Sequence, residues 1–246
     1  MIVDERMMIF IDSMDTPNTE FLNQLEKYSK ETNVPIIRPS MQSLLKLLLA
    51  IKQPKKILEV GCAIGFSALL MSEYGPQDCH ITTIEKYEKR IPLARENFEK
   101  AGKKDRITLL EGDAADLLKQ LDGTYDFIFM DAAKGQYIHF MPEVLRLLAE
   151  GGMLVSDNVL QDGDIIESRF AVTRRNRTIH GRMRDYLYEL KHHKELVTSI
   201  LPVGDGVTIS VKRSNKDIVM IEEAENLKEH VEITECEERK DVRSTE

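Results

Sequence analysis

Two short stretches of the chain place carboxylates where they could share a metal ion. One is Phe129-Met130-Asp131-Ala132-Ala133-Lys134; the other is Ser156-Asp157-Asn158. Each closes an apolar run that reads as a buried strand. In an open parallel sheet the carboxyl ends of neighbouring strands converge on one crevice. This spacing predicts that Asp131, Asp157 and Asn158 meet there. Two carboxylates and an amide are hard oxygen donors, suited to Mg2+ or Ca2+ and not to zinc. Three protein oxygens leave the other positions of an octahedral Mg2+ to water and substrate. The bland alternative is a helix cap at Asp131 and a turn at Asp157-Asn158.

A second constellation lies earlier. Glu59-Val60-Gly61-Cys62-Ala63-Ile64-Gly65-Phe66-Ser67 reads as a strand-to-helix turn. Gly61 lets the chain turn sharply, and Gly65 lets the next helix start close to its neighbours. The pattern differs from the G-x-G-x-x-G that wraps a pyrophosphate. Glu85 ends the following strand, where an acid takes both hydroxyls of a ribose. The pocket therefore suits a nucleoside that carries ribose but no phosphate. Asp113 follows the third strand, at the same edge.

The residues around 58–67 resemble motif I of class I S-adenosylmethionine-dependent methyltransferases. The pair D-A-A-K and D-N resembles the cation-dependent O-methyltransferases of the catechol and caffeoyl-coenzyme A type. The likeness runs through residues 1–213. It implies that Glu59 and Gly61 lie beside the methionine part of S-adenosylmethionine and that Ser67 binds its carboxylate. It implies that Glu85 holds the ribose, Asp113 and Ala114 the adenine, and that Met41 closes over the cofactor. It further implies that Asp131, Asp157 and Asn158 bind Mg2+ or another divalent cation. Asp131 also counts among the cofactor-binding and catalytic residues, and Lys134 is the general base. A divalent cation lowers the pKa of a coordinated hydroxyl, and a nearby lysine can remove its proton.

The acceptor is the open question. After Asn158 comes an arginine-rich run, Arg169, Arg174, Arg175, Arg177, Arg182 and Arg184. A small catechol does not need such a run, whereas phosphates do; the plainer reading is a solvated helix face. The stretch from Asp157 to Ile179 resembles the bacterial branch that methylates 5-hydroxyuridine in the tRNA anticodon, giving 5-methoxyuridine at the wobble position. Arg174, Arg175 and Arg177 would then bind RNA. One alternative keeps the enzyme and makes the acceptor a small catechol-like molecule. Another is a cofactor-binding module whose partner is a protein, docked through an acidic tail.

These residues need a scaffold. Short apolar runs at 55–60, 80–85, 106–112, 125–131 and 152–158 alternate with amphipathic stretches at about 66–74, 87–101, 113–121 and 136–149. This predicts an α/β fold with a doubly wound, mostly parallel seven-stranded sheet. Residues 196–204 and 206–213 read as an antiparallel hairpin closing it. Three helices precede the sheet: about 2–13, Thr16-Pro17 to about Glu31 with Pro17 at N1, and about 40–51. A basic helix is expected over about 170–193. The expected organisation is one domain over 1–213, with 1–53 as its N-terminal helices, and an acidic tail over 214–246.

Of the 246 residues, 42% are hydrophobic and 31% charged, which suits one soluble globular domain and excludes a disordered chain. The net charge of −8 is uneven: residues 214–246 carry 5 basic and 11 acidic residues, and 165–194 carry 8 basic and 3 acidic. The tail contains an apolar, strand-like run at 218–221. Cys62, Cys79 and Cys236 are too scattered for a disulfide framework, so a reducing cytoplasm is expected. The N-terminal acids do not make a signal peptide, and no apolar run is long enough to cross a membrane. The likeness also implies a homodimer, to which the apolar Met7, Met8, Ile9 and Phe10 could contribute.

Overall fold

β-branched and aromatic runs build the sheet that the site stands on. Its strands are β1 (Lys56–Val60), β2 (His80–Glu85), β3 (Ile107–Glu111), β4 (Tyr125–Met130), β5 (Leu148–Ser156), β6 (Leu196–Leu201) and β7 (Val207–Lys212). The computed structural model describes residues 3–168 and 170–220. Arg169 and tail residues 221–246 lie outside the described residues. The strand order is β3-β2-β1-β4-β5-β7-β6. β1 to β5 are parallel, and β7 runs antiparallel to both β5 and β6. The seven-stranded sheet and its closing hairpin are those expected from the alternation. Strand order reverses between β1 and β4, which opens a crevice at their carboxyl ends.

Helices cover both faces. α1 (Glu5–Ser13), α2 (Glu20–Thr32), α3 (Pro39–Lys52), α4 (Phe66–Tyr74) and α5 (Ile91–Lys100) come first. α6 (Ala114–Gln120), α7 (Tyr137–Leu147) and α8 (Arg177–His192) follow. Successive strand side chains point to opposite faces. Phe127 and Phe129 pack with residues of α2 to α5, while Ile128 and Met130 pack with α6 to α8.

Several boundaries differ from expectation. α2 is capped at Thr19, not Thr16. The segment before it is tied down instead: Ser43 donates to Asp15 at 2.9 Å, and Asn18 donates to Gln42 at 2.7 Å. β5 starts at Leu148, with a register shift against β4 between Tyr125 and Phe127. The basic helix begins only at Arg177. Before it lie a 3-10 turn, Gln161–Ile166, and an irregular loop. The chain divides into two units, Met1–Lys212 and Arg213–Glu246. In the second, residues 215–220 are helical, so the start of the run expected to be strand-like is helix. The Ser214 hydroxyl and Asp217 cap it reciprocally, each accepting from the other's backbone N–H at 3.3 and 3.2 Å.

Candidate active site

The crevice begins with backbone hydrogen bonds that step from one strand end to the next. Gly61 N–H donates to Ile84 O, Asp131 N–H to Val60 O, and Asp157 N–H to Met130 O, at 2.9–3.0 Å. The Tyr137 hydroxyl lies 3.0 Å from Met130 O and 3.1 Å from Asp157 O, bracing β4 against β5 from below. Asp131 and Asp157 are thereby set side by side. Above the strand ends lies a cavity of about 540 Å3.

At one end of the cavity are Asp131, Lys134, Asp157, Asn158, Asp205 and Arg38; towards the other are Gly61, Ser67, Glu85, Lys86, Asp113 and Ala114. Burial pushes the Asp131 carboxyl up to about 6, with Lys134 opposing and Asp205 adding to the rise. Asp157, only 4% exposed, is pushed up to about 7 by burial and then by Asp131. Removal from water disfavours both charged forms, and each carboxylate disfavours the other. A pair of this kind gains from a hard cation placed between its oxygens, so the donor set fits Mg2+. Among the described residues, no three His, Cys, Asp or Glu side chains form a metal cage by themselves. The third donor here is an amide. Asn158 sits in the left-handed region at φ 58°, which asparagine tolerates. Its Nδ2 donates to Asp205 at 3.0 Å, and Asp205 also pairs with Arg38 at 2.6 Å.

Asp205 and Arg38 escaped the sequence reading. Asp205 lies between Gly204 and Gly206 in the β6–β7 loop, which reads as turn chemistry alone. The signal was an acid between two glycines, placed by the hairpin at the end of β5. Leu160 N–H donates to Asp205 O at 2.9 Å, stitching that loop to the segment after Asn158.

The glycine loop is as tight as its residues suggest. A Cβ on Gly61 would lie 2.3 Å from the Asp131 carbonyl oxygen, and φ there is +94°. Only glycine fits. Glu85 holds the loop in place: its carboxylate accepts from the backbone N–H of Ala63 at 2.7 Å, Lys86 at 2.9 Å and Tyr87 at 2.7 Å. An ionised carboxylate has about four acceptor sites, so capacity remains for a ligand hydroxyl. Asp113 caps α6 by accepting from Ala115 N–H at 2.9 Å, and Lys86 approaches it at 3.3 Å. The cap bond first, then Lys86, holds its carboxyl below the usual range.

Two assigned residues stand back from the cavity. Met41 is buried in the core among α2 to α4 and does not line the cavity; Arg38, one helical turn earlier, does. The cause is helix phase: α3 turns Met41, Leu45, Leu48 and Leu49 inward. Glu59 does not line the cavity either. It is fully buried behind the glycine loop, bonded by the Thr83 hydroxyl, and burial pushes its carboxyl up to about 8. The Ser67 and Thr83 hydroxyls oppose that rise by hydrogen bonding to the carboxyl.

Three arginines of the basic run are engaged locally. Arg177 Nε donates to Val172 O at 3.3 Å, Arg182 to Gly135 O at 3.2 Å and Arg184 to Ile165 O at 3.1 Å. Arg174 and Arg175 are exposed.

Residues 12–213 match the O-methyltransferase family. Among relatives, the catechol O-methyltransferase of Niastella koreensis is 34% identical over 143 residues, 56% of this chain and 65% of its own length. Caffeoyl-CoA O-methyltransferase 5 of Nicotiana tabacum is 33% identical over 179 residues, covering 67% of this chain and 72% of its own. A solved SAH-bound methyltransferase of Podospora anserina is 28% identical with a TM-score of 0.77, covering 85% of this chain and 95% of that one. No helix among the described residues is long and apolar enough to cross a membrane. With the family match spanning both ends of the cavity, the chain belongs to the S-adenosylmethionine-dependent O-methyltransferase family.

Proposed function

We propose that this chain methylates an oxygen of 5-hydroxyuridine at the wobble position of a tRNA anticodon, using S-adenosylmethionine and a divalent cation. The observation that carries the reading is one cavity joining Asp131, Lys134, Asp157 and Asn158 to Ser67, Glu85 and Asp113. Glu85 would take a ribose hydroxyl, and Asp113 with the backbone of Ala114 the adenine edge. Ser67, 5% exposed at the start of α4, would take the carboxylate at a helix N-terminus. Gly61 keeps the wall beside the sulfonium free of side chain.

Asp131, Asp157 and Asn158 would hold the cation. When bound, such a cation lowers the pKa of an acceptor hydroxyl, and S-adenosylmethionine supplies a methyl group on a positively charged sulfur. Lys134 stands at the same end and, as the neutral amine, would accept the hydroxyl proton. Transfer then needs the acceptor oxygen and the methyl carbon aligned, which the shared cavity enforces. The 5-hydroxyl and C4 carbonyl of 5-hydroxyuridine are vicinal oxygens with the bite of a catechol. An anticodon base is single-stranded and can be splayed into a pocket. Exposed Arg174 and Arg175 support an RNA acceptor. This function places the enzyme in the cytoplasm, with residues 1–213 as the catalytic unit. A homodimer is part of the proposal, and exposed Met7, Ile9 and Phe10 on α1 support it.

A second reading, a small catechol-like acceptor, is favoured by the names of the relatives. Mass spectrometry of tRNA nucleosides from cells with and without the gene separates the two. Loss of 5-methoxyuridine with gain of 5-hydroxyuridine supports the tRNA acceptor. Unchanged tRNA nucleosides favour the small molecule.

A further inference from the structure

The loop between Asn158 and α8 exposes apolar side chains, with the acids Asp164 and Glu167 on the side of Ile166 and exposed Arg174 and Arg175 following Phe170. Ile166 is 82% exposed and Phe170 83%, the two largest exposures among the large hydrophobic residues described. The loop that carries them is built. Ala171 N–H donates to Ser168 O at 2.8 Å, Val172 is buried, and Arg177 Nε donates to Val172 O. The Arg177 guanidinium stands over the Phe170 ring, 5.9 Å from its centroid. This surface follows the site closely in sequence and is tied to it through α8. The 3-10 turn Gln161–Ile166 starts three residues after Asn158, and Arg182 ties α8 to Gly135 beside Lys134.

An isolated exposed phenylalanine costs solvation and contributes nothing to the core. An aromatic ring backed by one arginine and flanked by exposed Arg174 and Arg175 has the two components of single-stranded nucleic-acid recognition. These are a stacking face and phosphate-directed charge. A flat protein partner would not require the positive charge of Arg174, Arg175 and Arg177. We propose that Phe170 stacks on the base next to the target nucleotide, with Ile166 extending the platform and Arg174 and Arg175 holding the flanking phosphates. The inference rests on the RNA acceptor proposed above and adds how the RNA is gripped. Removing a neighbouring base from its own stack also helps the target base to splay into the cavity.

The test uses an anticodon stem-loop carrying 5-hydroxyuridine, free 5-hydroxyuridine nucleoside, and the full chain as wild type, Phe170→Ala and Phe170→Trp. 2-Aminopurine is placed in turn on either side of the target nucleotide. Its fluorescence should fall on binding wild type at one of these positions, and the quench should vanish with Phe170→Ala. KM for the stem-loop should rise about tenfold or more in Phe170→Ala and return towards wild type in Phe170→Trp. kcat/KM for the free nucleoside should not change. An unchanged stem-loop KM and quench in Phe170→Ala overturns the stacking role while leaving the RNA acceptor standing. Equal losses on both acceptors overturn it too, since the ring would then serve the cavity itself. Wild type that methylates a free catechol but neither binds nor methylates the stem-loop overturns both proposals together.

Discussion

Asn158 donates its side-chain amide to the Asp205 carboxylate at 3.0 Å. An ionised carboxylate can only accept, so the nitrogen of the amide must face Asp205. The carbonyl oxygen is then the end left to serve a cation. Asp205→Ala removes that orientation and also the ion pair between Asp205 and Arg38. The expected loss is about 10–100-fold in Mg2+ affinity, read by calorimetry, with the circular dichroism spectrum unchanged. Unaltered Mg2+ binding would show that Asn158 does not depend on Asp205.

Asp157→Ala deletes one of the proposed cation donors and the 2.7 Å acceptor for Asn158 N–H. Turnover should be abolished while the fold and S-adenosylmethionine binding persist. A chelator should mimic the substitution in the wild type, and added Mg2+ should reverse it. Full activity in excess chelator would remove the metal from the mechanism.

Glu85→Ala should weaken S-adenosylmethionine binding by about 1.5–3 kcal/mol, the scale of a hydrogen bond to a charged group. Because Glu85 also receives the Ala63 N–H, some of the loss comes from a loosened glycine loop. Calorimetry of cofactor binding gives the answer, and an affinity equal to wild type contradicts the ribose assignment.

Glu59 makes the stability of the chain pH-dependent in a definite direction. Burial raises its carboxyl to about 8 in the fold, against about 4.3 in an unfolded chain. Between those values the folded state holds a proton that the unfolded state has released. Its favourable contribution is therefore complete below about pH 4 and is lost as pH rises towards 8. Glu59→Gln keeps the shape without the titration. Urea unfolding at pH 5 and pH 8 should show the glutamine variant gaining on wild type at the higher pH, by a few kcal/mol at most. Equal gains at both pH values would mean that Glu59 is ionised in the fold.

The arginine run can be tested without touching the chemistry. Arg177 supports its own loop, so the cleaner variant is Arg174→Ala with Arg175→Ala. Anticodon stem-loop binding should weaken, and the slope of log affinity against log salt should flatten by about 0.7 per lost phosphate contact. Catechol methylation should be unaffected. A salt slope equal to wild type would reduce these arginines to a solvated face.

The sheet and the positions of Asp131, Asp157 and Asn158 at its strand ends could be read along the chain because each signal is local. Apolar runs of strand length, glycines at one turn, and acids immediately after strands report what their own neighbours need. The placement of Asp131 beside Asp157 followed from a general property of parallel sheets and required no knowledge of side-chain packing. Glu85 and Asp113 line the cavity for the same reason, each at or just after a strand end, and Ser67 lines it from the start of α4.

What the tertiary structure decided was which residues reach the site from a distance in sequence, and which only seem to. Asp205 arrives because β7 pairs antiparallel with β5, bringing the hairpin loop to the end of β5. Arg38 arrives because α3 begins beside that loop, with Gly204 close to Ser40 and Arg38. Met41 and Glu59 are in the expected elements, yet helix phase and strand alternation turn both into the interior. Such outcomes depend on register and on rotation about an element's own axis. Those are set by the summed packing of partners far along the chain, and no local pattern of residues encodes them.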